Sequence, residues 1–468
     1  MSPQLATVAY SLGILGLFLL NRDKKARTSI ALWIPVLWLL LAGSRNVGEW
    51  MQLGQPNTES DAAYLEGNPV DRNVLSVLLV LGLIALLQRR QKTLALLRAN
   101  APILLFFAYC GISFLWSDHP DVSFKRWIRA VGDVVMVLVV LTDREWMSAL
   151  KRLFARVGYL LLPLSILFIL YYPTIGRAYG RWDGKMVWTG VTTGKNTLGM
   201  VCMIFGLGAL WRVLDAYGEK KSARKYGPLI ANGVIIAMAI FLLWKANSVT
   251  SIACFALGGT VVALTRRRVL LRKPLLVHLL VAVLVGGAFC VLFLGIGSGL
   301  LENVGRDSTL TGRTDIWQLA ISLSHNPLVG TGYESFWLGS RLEAVRRIYP
   351  NHVNQVHNGY LEIFLNLGWV GVILLATFIV TGYRKIMAAV QRQYVAADLM
   401  LAFFVVGIVY NFTEAGFKMM YPVWIFFLLA IMAVLQPLSL KAKAVAPKVR
   451  SDWADLPTVS TQASLEEV

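Results

Sequence analysis

The chain has 468 residues, of which 56% are hydrophobic and 15% charged, and its formal net charge is +19. That composition excludes an ordinary soluble domain: apolar runs long enough to cross a bilayer recur from one end to the other, so the chain reads as an all-α, polytopic membrane protein. Cys110, Cys202, Cys254 and Cys290 all fall in apolar stretches without metal-like or redox-like spacing, which argues for buried packing and against a disulfide framework.

The first apolar run, from about Leu5 to Leu20, has no positive charge before it and no small-residue cleavage site, so it is expected to persist as a span. Further runs near 29–43, 73–88, 96–116, 127–142, 152–172, 187–213, 229–246, 250–265, 275–297, 358–383, 396–413 and 420–437 bring the expected crossings to about thirteen, a bundle of 12–13 spans. Alternate connections are rich in Lys and Arg, at 21–27, 88–92, 219–225, 265–273 and 383–385 with Arg392, and so is the tail from Lys441. The thirteen-span count puts them all on one side, which is then cytoplasmic, with the N-terminus outside. The net charge is thereby a topology signal, and no nucleic acid partner is called for. Residues 1–437 form the membrane domain, and 438–468 read as a disordered cytoplasmic tail.

The opposite side receives 44–72, 117–126, 173–188, 298–357 and 414–419. In the second of these, Asp118-His-Pro-Asp121 offers metal-type carboxylates, but Pro120 makes a turn the stronger explanation. The fourth is a long polar loop with structure of its own. Ile316, Leu319, Ala320 and Leu323 follow an i, i+3, i+4, i+7 pattern, which predicts a short helix from Arg313 to Ser324. Asn326-Pro-Leu-Val-Gly-Thr-Gly332 breaks it, and a second helix from Ser340 to Ile348 carries Leu342, Val345 and Ile348 on one side. Together they form an expected lid on 298–357. Its basic residues are Arg306, Arg313, Arg341, Arg346 and Arg347, with no lysine. Arginine's planar fork suits the paired oxygens of a diphosphate. Most of these arginines are expected to pair with Glu302, Asp307, Asp315, Glu334 and Glu343 or with lipid headgroups; Arg313, behind a glycine and at a helix start, is the expected exception.

Gly312-Arg-Thr-Asp-Ile-Trp317, Asn326–Gly332 with Phe336, and His357-Asn-Gly-Tyr-Leu-Glu362 together resemble the shared region of the O-antigen ligase and O-antigen polymerase superfamily. The ligase pattern of His-Asn, nine residues, Gly, two residues, Gly is met by His357, Asn358, Gly368 and Gly371. Trp188–Gly199 resembles a stretch of exopolysaccharide polymerases in which a histidine often precedes Lys-Asn; here that position is Gly194. The resemblance implies a glycosyltransferase C-like bundle and an undecaprenyl-diphosphate-linked glycan donor. It implies a glycan or lipid A-core acceptor and a site on the periplasmic face of the bacterial inner membrane, with no nucleotide sugar. A chain-length regulator is a possible further partner.

Such chemistry needs a base, cations for the departing diphosphate and an apolar groove for the polyprenyl tail. His357 is the expected base and Arg313 the expected principal cation, with Arg177, Arg181, Lys195, Asn196 and Asn358 as diphosphate or sugar contacts. Glu362 and Glu414, at span ends, are expected to orient Arg or His side chains. Metal and cofactor are not expected. Arg129 and Asp133 are expected to pair within the fifth span. A ligase, and from another class a bicarbonate-type transporter, are the alternatives; paired discontinuous half-helices at mid-bilayer would favour transport.

Overall fold

The computed structural model describes residues 1–22, 27–52, 67–180, 184–218, 226–266, 273–294, 313–324, 326–349 and 353–433. The expected tail, Arg181, Arg306 and the Thr311-Gly312 pair lie outside these residues. Among the described residues the chain is helical but for one small hairpin. Besides short turns of helix at Val47–Met51 and Pro173–Gly176, the helices are α1 (Pro3–Leu20), α2 (Trp33–Ala42), α3 (Pro69–Leu87), α4 (Arg90–Ala99), α5 (Ala101–Ile112), α6 (Pro120–Leu141), α7 (Trp146–Tyr171), α8 (Lys195–Gly218) and α9 (Tyr226–Ala246). They continue as α10 (Val249–Thr265), α11 (Pro274–Phe293), α12 (Arg313–Ser322), α13 (Gly339–Ile348), α14 (Gly359–Gln391), α15 (Ala397–Tyr410) and α16 (Pro422–Met432). Strands β1 (Arg177–Tyr179) and β2 (Met186–Trp188) pair antiparallel, Arg177 opposite Trp188.

Each expected apolar run contains a helix, yet length limits how many cross a bilayer alone. Among the described residues seven helices are long and apolar enough, or up to eight if the pair around Asn100, bent by 87°, counts as one span. Four further apolar helices have only 10–17 residues, too short to cross a hydrocarbon core unaided. By length and composition together, seven or eight of the expected crossings are met among the described residues; the other runs hold shorter helices or, in α6, a 22-residue helix with several charges. Every residue of α16, one of these shorter helices, is buried. Around it Phe154, Phe205, Phe403 and Phe426 interlock, with ring centroids 5.1–6.3 Å apart. At the periphery, α1 and α11 bury only 11% of their apolar windows, as helices bathed in lipid do.

α14 is two helices. Gly368, at φ 62° and ψ −166°, breaks it in a backbone region reserved for glycine. The break is closed by the 326–332 segment. Thr331 and Gly332 donate to the carbonyls of Leu365 and Asn366 (3.2 and 2.8 Å), while Trp369 and Val370 donate to those of Pro327 and Leu328 (2.9 and 3.1 Å). Irregular backbone survives in a membrane bundle only where its polar groups find such partners. The glycine of the ligase-type motif is thus a seat for the lid.

Both lid helices form, at Arg313–Ser322 and Gly339–Ile348. Ile316, Ala320, Leu342 and Val345 bury against Phe336, Trp337, Val353, Val356 and Leu365. Ile348, expected on the apolar side, is 58% exposed because the helix ends there. Arg341 is buried, but its partner is Asp118 (2.6 Å) rather than a lid carboxylate. The Asp118 carboxylate therefore anchors the lid. Asp133 does not bond to Arg129: it accepts from Trp38 Nε1 (2.8 Å) and the backbone N–H of Met420 (2.9 Å), tying three segments together.

Candidate functional site

His357 sits in the bend that opens α14, at φ 53°. A side chain in the left-handed region is strained, and it persists where neighbours over-determine it. Here they do. The Val356 N–H donates to Glu362 Oε1 (2.7 Å), and the Val356 carbonyl accepts from Trp317 Nε1 (2.7 Å). Glu362 in turn accepts from Trp337 Nε1 at 3.0 Å, which links the bend to the second half of the lid. On the other flank Asn358 caps α14, its Oδ1 accepting from Tyr360 and Leu361 N–H (3.0 Å each), while its Nδ2 donates to the Phe412 carbonyl (3.3 Å). Gly359 has no Cβ because Asn411 Oδ1 occupies that space.

The turn after α15 brings the second half of the site. Asn411 shapes it, accepting on Oδ1 from the N–H groups of Gly416 (2.8 Å) and Phe417 (2.9 Å). That places Glu414, 8% exposed, against three of the expected residues. His357 Nδ1 lies 3.2 Å from Glu414 Oε2. Asn196 Nδ2 donates to Oε1 (3.0 Å), and Arg313 Nη2 stands 3.8 Å from the same oxygen. Arg313 Nη1 also donates to the Thr413 carbonyl (2.6 Å), and Thr413 Oγ1 meets Thr250 Oγ1 at 2.9 Å. An ionised carboxylate only accepts, so with Glu414 ionised and the imidazole neutral the proton sits on Nδ1, and Nε2 keeps its lone pair. The arrangement makes a proton acceptor of His357 and leaves it partly exposed.

Lys195 is the first residue of α8, beside Asn196, and is half-buried; among the described residues its ammonium makes no hydrogen bond or ion pair. Arg177 is brought elsewhere. Its Nε donates to the Ile169 carbonyl (3.0 Å) and its guanidinium stacks 4.8 Å from the Trp188 ring. Lys245, at the end of α9, lies 5.2 Å from the same ring and 4.4 Å from Trp244. Sequence reasoning passed over Lys245, although one lysine directly after Trp244 at the end of an apolar run is a signal of its own. Asn411 was also passed over, and nothing in the sequence marks it. Glu362 and Asn358 contribute by holding the bend, both engaged with protein partners.

Residues 227–376 match the family described as O-antigen ligase (Wzy_C). Over that region, about a third of its length, the chain is similar to the O-antigen ligase family. It is also 29% identical over 290 residues to the exopolysaccharide production protein ExoQ of Rhizobium meliloti (strain 1021). The match covers 60% of this chain and 64% of that protein, so the chain spans somewhat less than two thirds of this relative's length. The O-antigen ligase region holds Arg313, His357, Asn358, Glu362 and the Gly368 break, whereas Asn196 and Glu414 lie outside it. Contact in the fold, not the family region, joins them to His357.

Proposed function

We propose that the chain transfers a glycan from an undecaprenyl-diphosphate-linked donor at the outer face of the inner membrane, polymerising exopolysaccharide or O-antigen repeat units. One observation carries this reading: Glu414 gathers His357, Arg313 and Asn196, a proton acceptor and a cation from distant segments, at one end of the bundle. In the reaction, Nε2 of His357 takes the proton of an acceptor hydroxyl as its oxygen attacks the anomeric carbon. The bond from that carbon to the diphosphate oxygen breaks with inversion. The electron pair stays on the diphosphate, where Arg313 and Lys195 meet the growing charge. Arg177 and Lys245, flanking Trp188, extend the positive region toward the carrier. Two cations supply what a metal would, so the transfer is metal-independent in this reading.

The test is transfer by purified protein with lipid-linked donor and acceptor, in the presence of a chelator. Polymer formation that stops when donor is withheld and persists with chelator supports the reading; strict dependence on an added divalent ion overturns its metal-free form. The family's description favours a second reading, in which the glycan goes to lipid A core. A deletion strain separates the two: single repeats left on the carrier indicate a polymerase, long polymers a ligase.

A further inference from the structure

At the opposite end of the bundle, a cleft of about 730 Å3 opens between the segment leading into α2, the α3–α4 corner and the α6–α7 corner. α7, whose 26 residues at 1.5 Å rise measure about 39 Å, starts at that corner and ends where Arg177 of β1 bonds to Ile169. Arg27, Arg89, Arg90, Lys92 and Arg144 line the cleft, and no carboxylate does. Arg89 is the fixed floor: Nη1 donates to the Val139 carbonyl (3.0 Å) and Nη2 stands 3.6 Å from Asp143 Oδ2. The other four are exposed, and among the described residues their side chains have no hydrogen-bond or ion-pair partner. Thr28, Ser29, Gln88 and Gln91 add neutral donors.

The positive-inside rule accounts for the sign of this charge. It does not account for four exposed cations around one concavity whose nearby carboxylates are engaged elsewhere, Asp143 by Arg89 and the Ser29 N–H and Glu145 by the Arg27 N–H, while Arg266 and Lys151 at helix ends elsewhere are paired with Asp398 (2.5 Å) and Asp215 (2.7 Å). The rim supplies the rest of the ligand's description. Ile30 lines the cleft and is 86% exposed, and Leu87 and Trp33, next to its lining segments in the chain, are 72% and 47% exposed. We propose that this cleft binds the phosphate headgroup of an anionic phospholipid, with the acyl chains lying on Ile30, Trp33 and Leu87. The arginines and Lys92 hold the phosphate oxygens, and the first turn of α4, which begins at Arg90, adds N–H groups to the same anion.

The experiment measures lipid retained by the purified full-length protein, by native mass spectrometry after exchange from phosphatidylcholine nanodiscs doped with phosphatidylglycerol. Arg90→Gln with Lys92→Gln removes two free cations from the cleft. Arg98→Gln with Arg384→Gln removes two exposed charges outside it. At about 1 kcal/mol per basic residue near an anionic lipid, the cleft variant is expected to bind phosphatidylglycerol about 30-fold more weakly, and the control to stay near wild type. Equal losses in the two variants, or none in either, would reduce the effect to diffuse surface charge and overturn the site. Inorganic phosphate that drives the lipid off would transfer the cleft to a soluble anion and overturn the lipid assignment. Neither variant touches the His357 end, so glycan transfer and elution volume unchanged from wild type establish that both are folded.

Discussion

Replacing Glu414 with Gln tests the organisation of the site with almost no change in volume. The carboxylate now serves two directions: Oε1 accepts from Asn196 (3.0 Å) and faces Arg313 (3.8 Å), and Oε2 meets His357 Nδ1 (3.2 Å). An amide has one oxygen. Two donors compete for it on the Asn196 and Arg313 side, so the amide nitrogen turns toward His357, and Nδ1 must become the acceptor. The ring proton then moves to Nε2, the atom proposed to take the acceptor's proton. A general base contributes about 10²–10⁴-fold, so the expected loss is of that order, about 2.7–5.4 kcal/mol at 1.36 kcal/mol per decade. The assay is single-turnover transfer from saturating lipid-linked donor in proteoliposomes, which reads the chemical step apart from binding. Donor affinity should fall far less than turnover. A Glu414→Gln variant turning over within about threefold of wild type, well short of the smallest contribution a general base makes, would show that the tautomer does not matter and refute the reasoning.

Three further outcomes follow from the same geometry. His357→Gln keeps a hydrogen-bonding side chain but accepts no proton at working pH, so transfer should drop by about 10²–10⁴-fold while donor stays bound; near-normal transfer would make His357 a positioning group. Arg313→Lys keeps the charge and loses the fork that reaches Thr413 and Glu414 together, so a large activity loss at normal membrane abundance is expected, and wild-type activity would confine Arg313 to supporting the lid. Gly368→Ala should act on folding instead: a Cβ there meets the Leu328 carbonyl and the backbone strain adds about 1–3 kcal/mol, visible as a lower thermal midpoint and less protein in the membrane, and an unchanged midpoint would contradict the break.

Much of the lid was legible because its signals are local. The i, i+3, i+4, i+7 spacing at Ile316 and Ala320 and the Asn-Pro…Gly break are written within a few residues of one another, and both helices form within two residues of their expected ends. The crossing count was less legible. Hydropathy reports whether a segment avoids water and is silent on whether lipid or protein replaces it, so α16, wrapped by aromatic rings, reads like α11, which faces lipid. Asp133 shows the same limit for polar groups. Its i, i+4 spacing to Arg129 is a fact of one helix, whereas Trp38 and Met420 reach it from elements far away in the chain.

The site divides along this line too. His357, Arg313 and Asn196 were chosen as separate residues from separate motifs, and each was expected to act on the substrate. Glu414 was chosen as an ionisable group at a span end, expected to orient Arg or His side chains, and it is the residue that touches all three. No spacing rule relates 196, 313, 357 and 414, because their meeting depends on α8, α12, α14 and α15 ending at one place. The ends of α14 and α15 are held by groups whose part is positional: Asn411 shaping the turn, Gly359 admitting it, Asn358 capping α14, Glu362 gripping Val356. Chemistry-bearing side chains can be recognised one at a time in a sequence, but the geometry that gives His357 a defined tautomer is a property of the backbone around it. Substitutions at Asn411 or Gly359 are therefore expected to disable transfer as fully as loss of the base, through loss of position and not of a functional group.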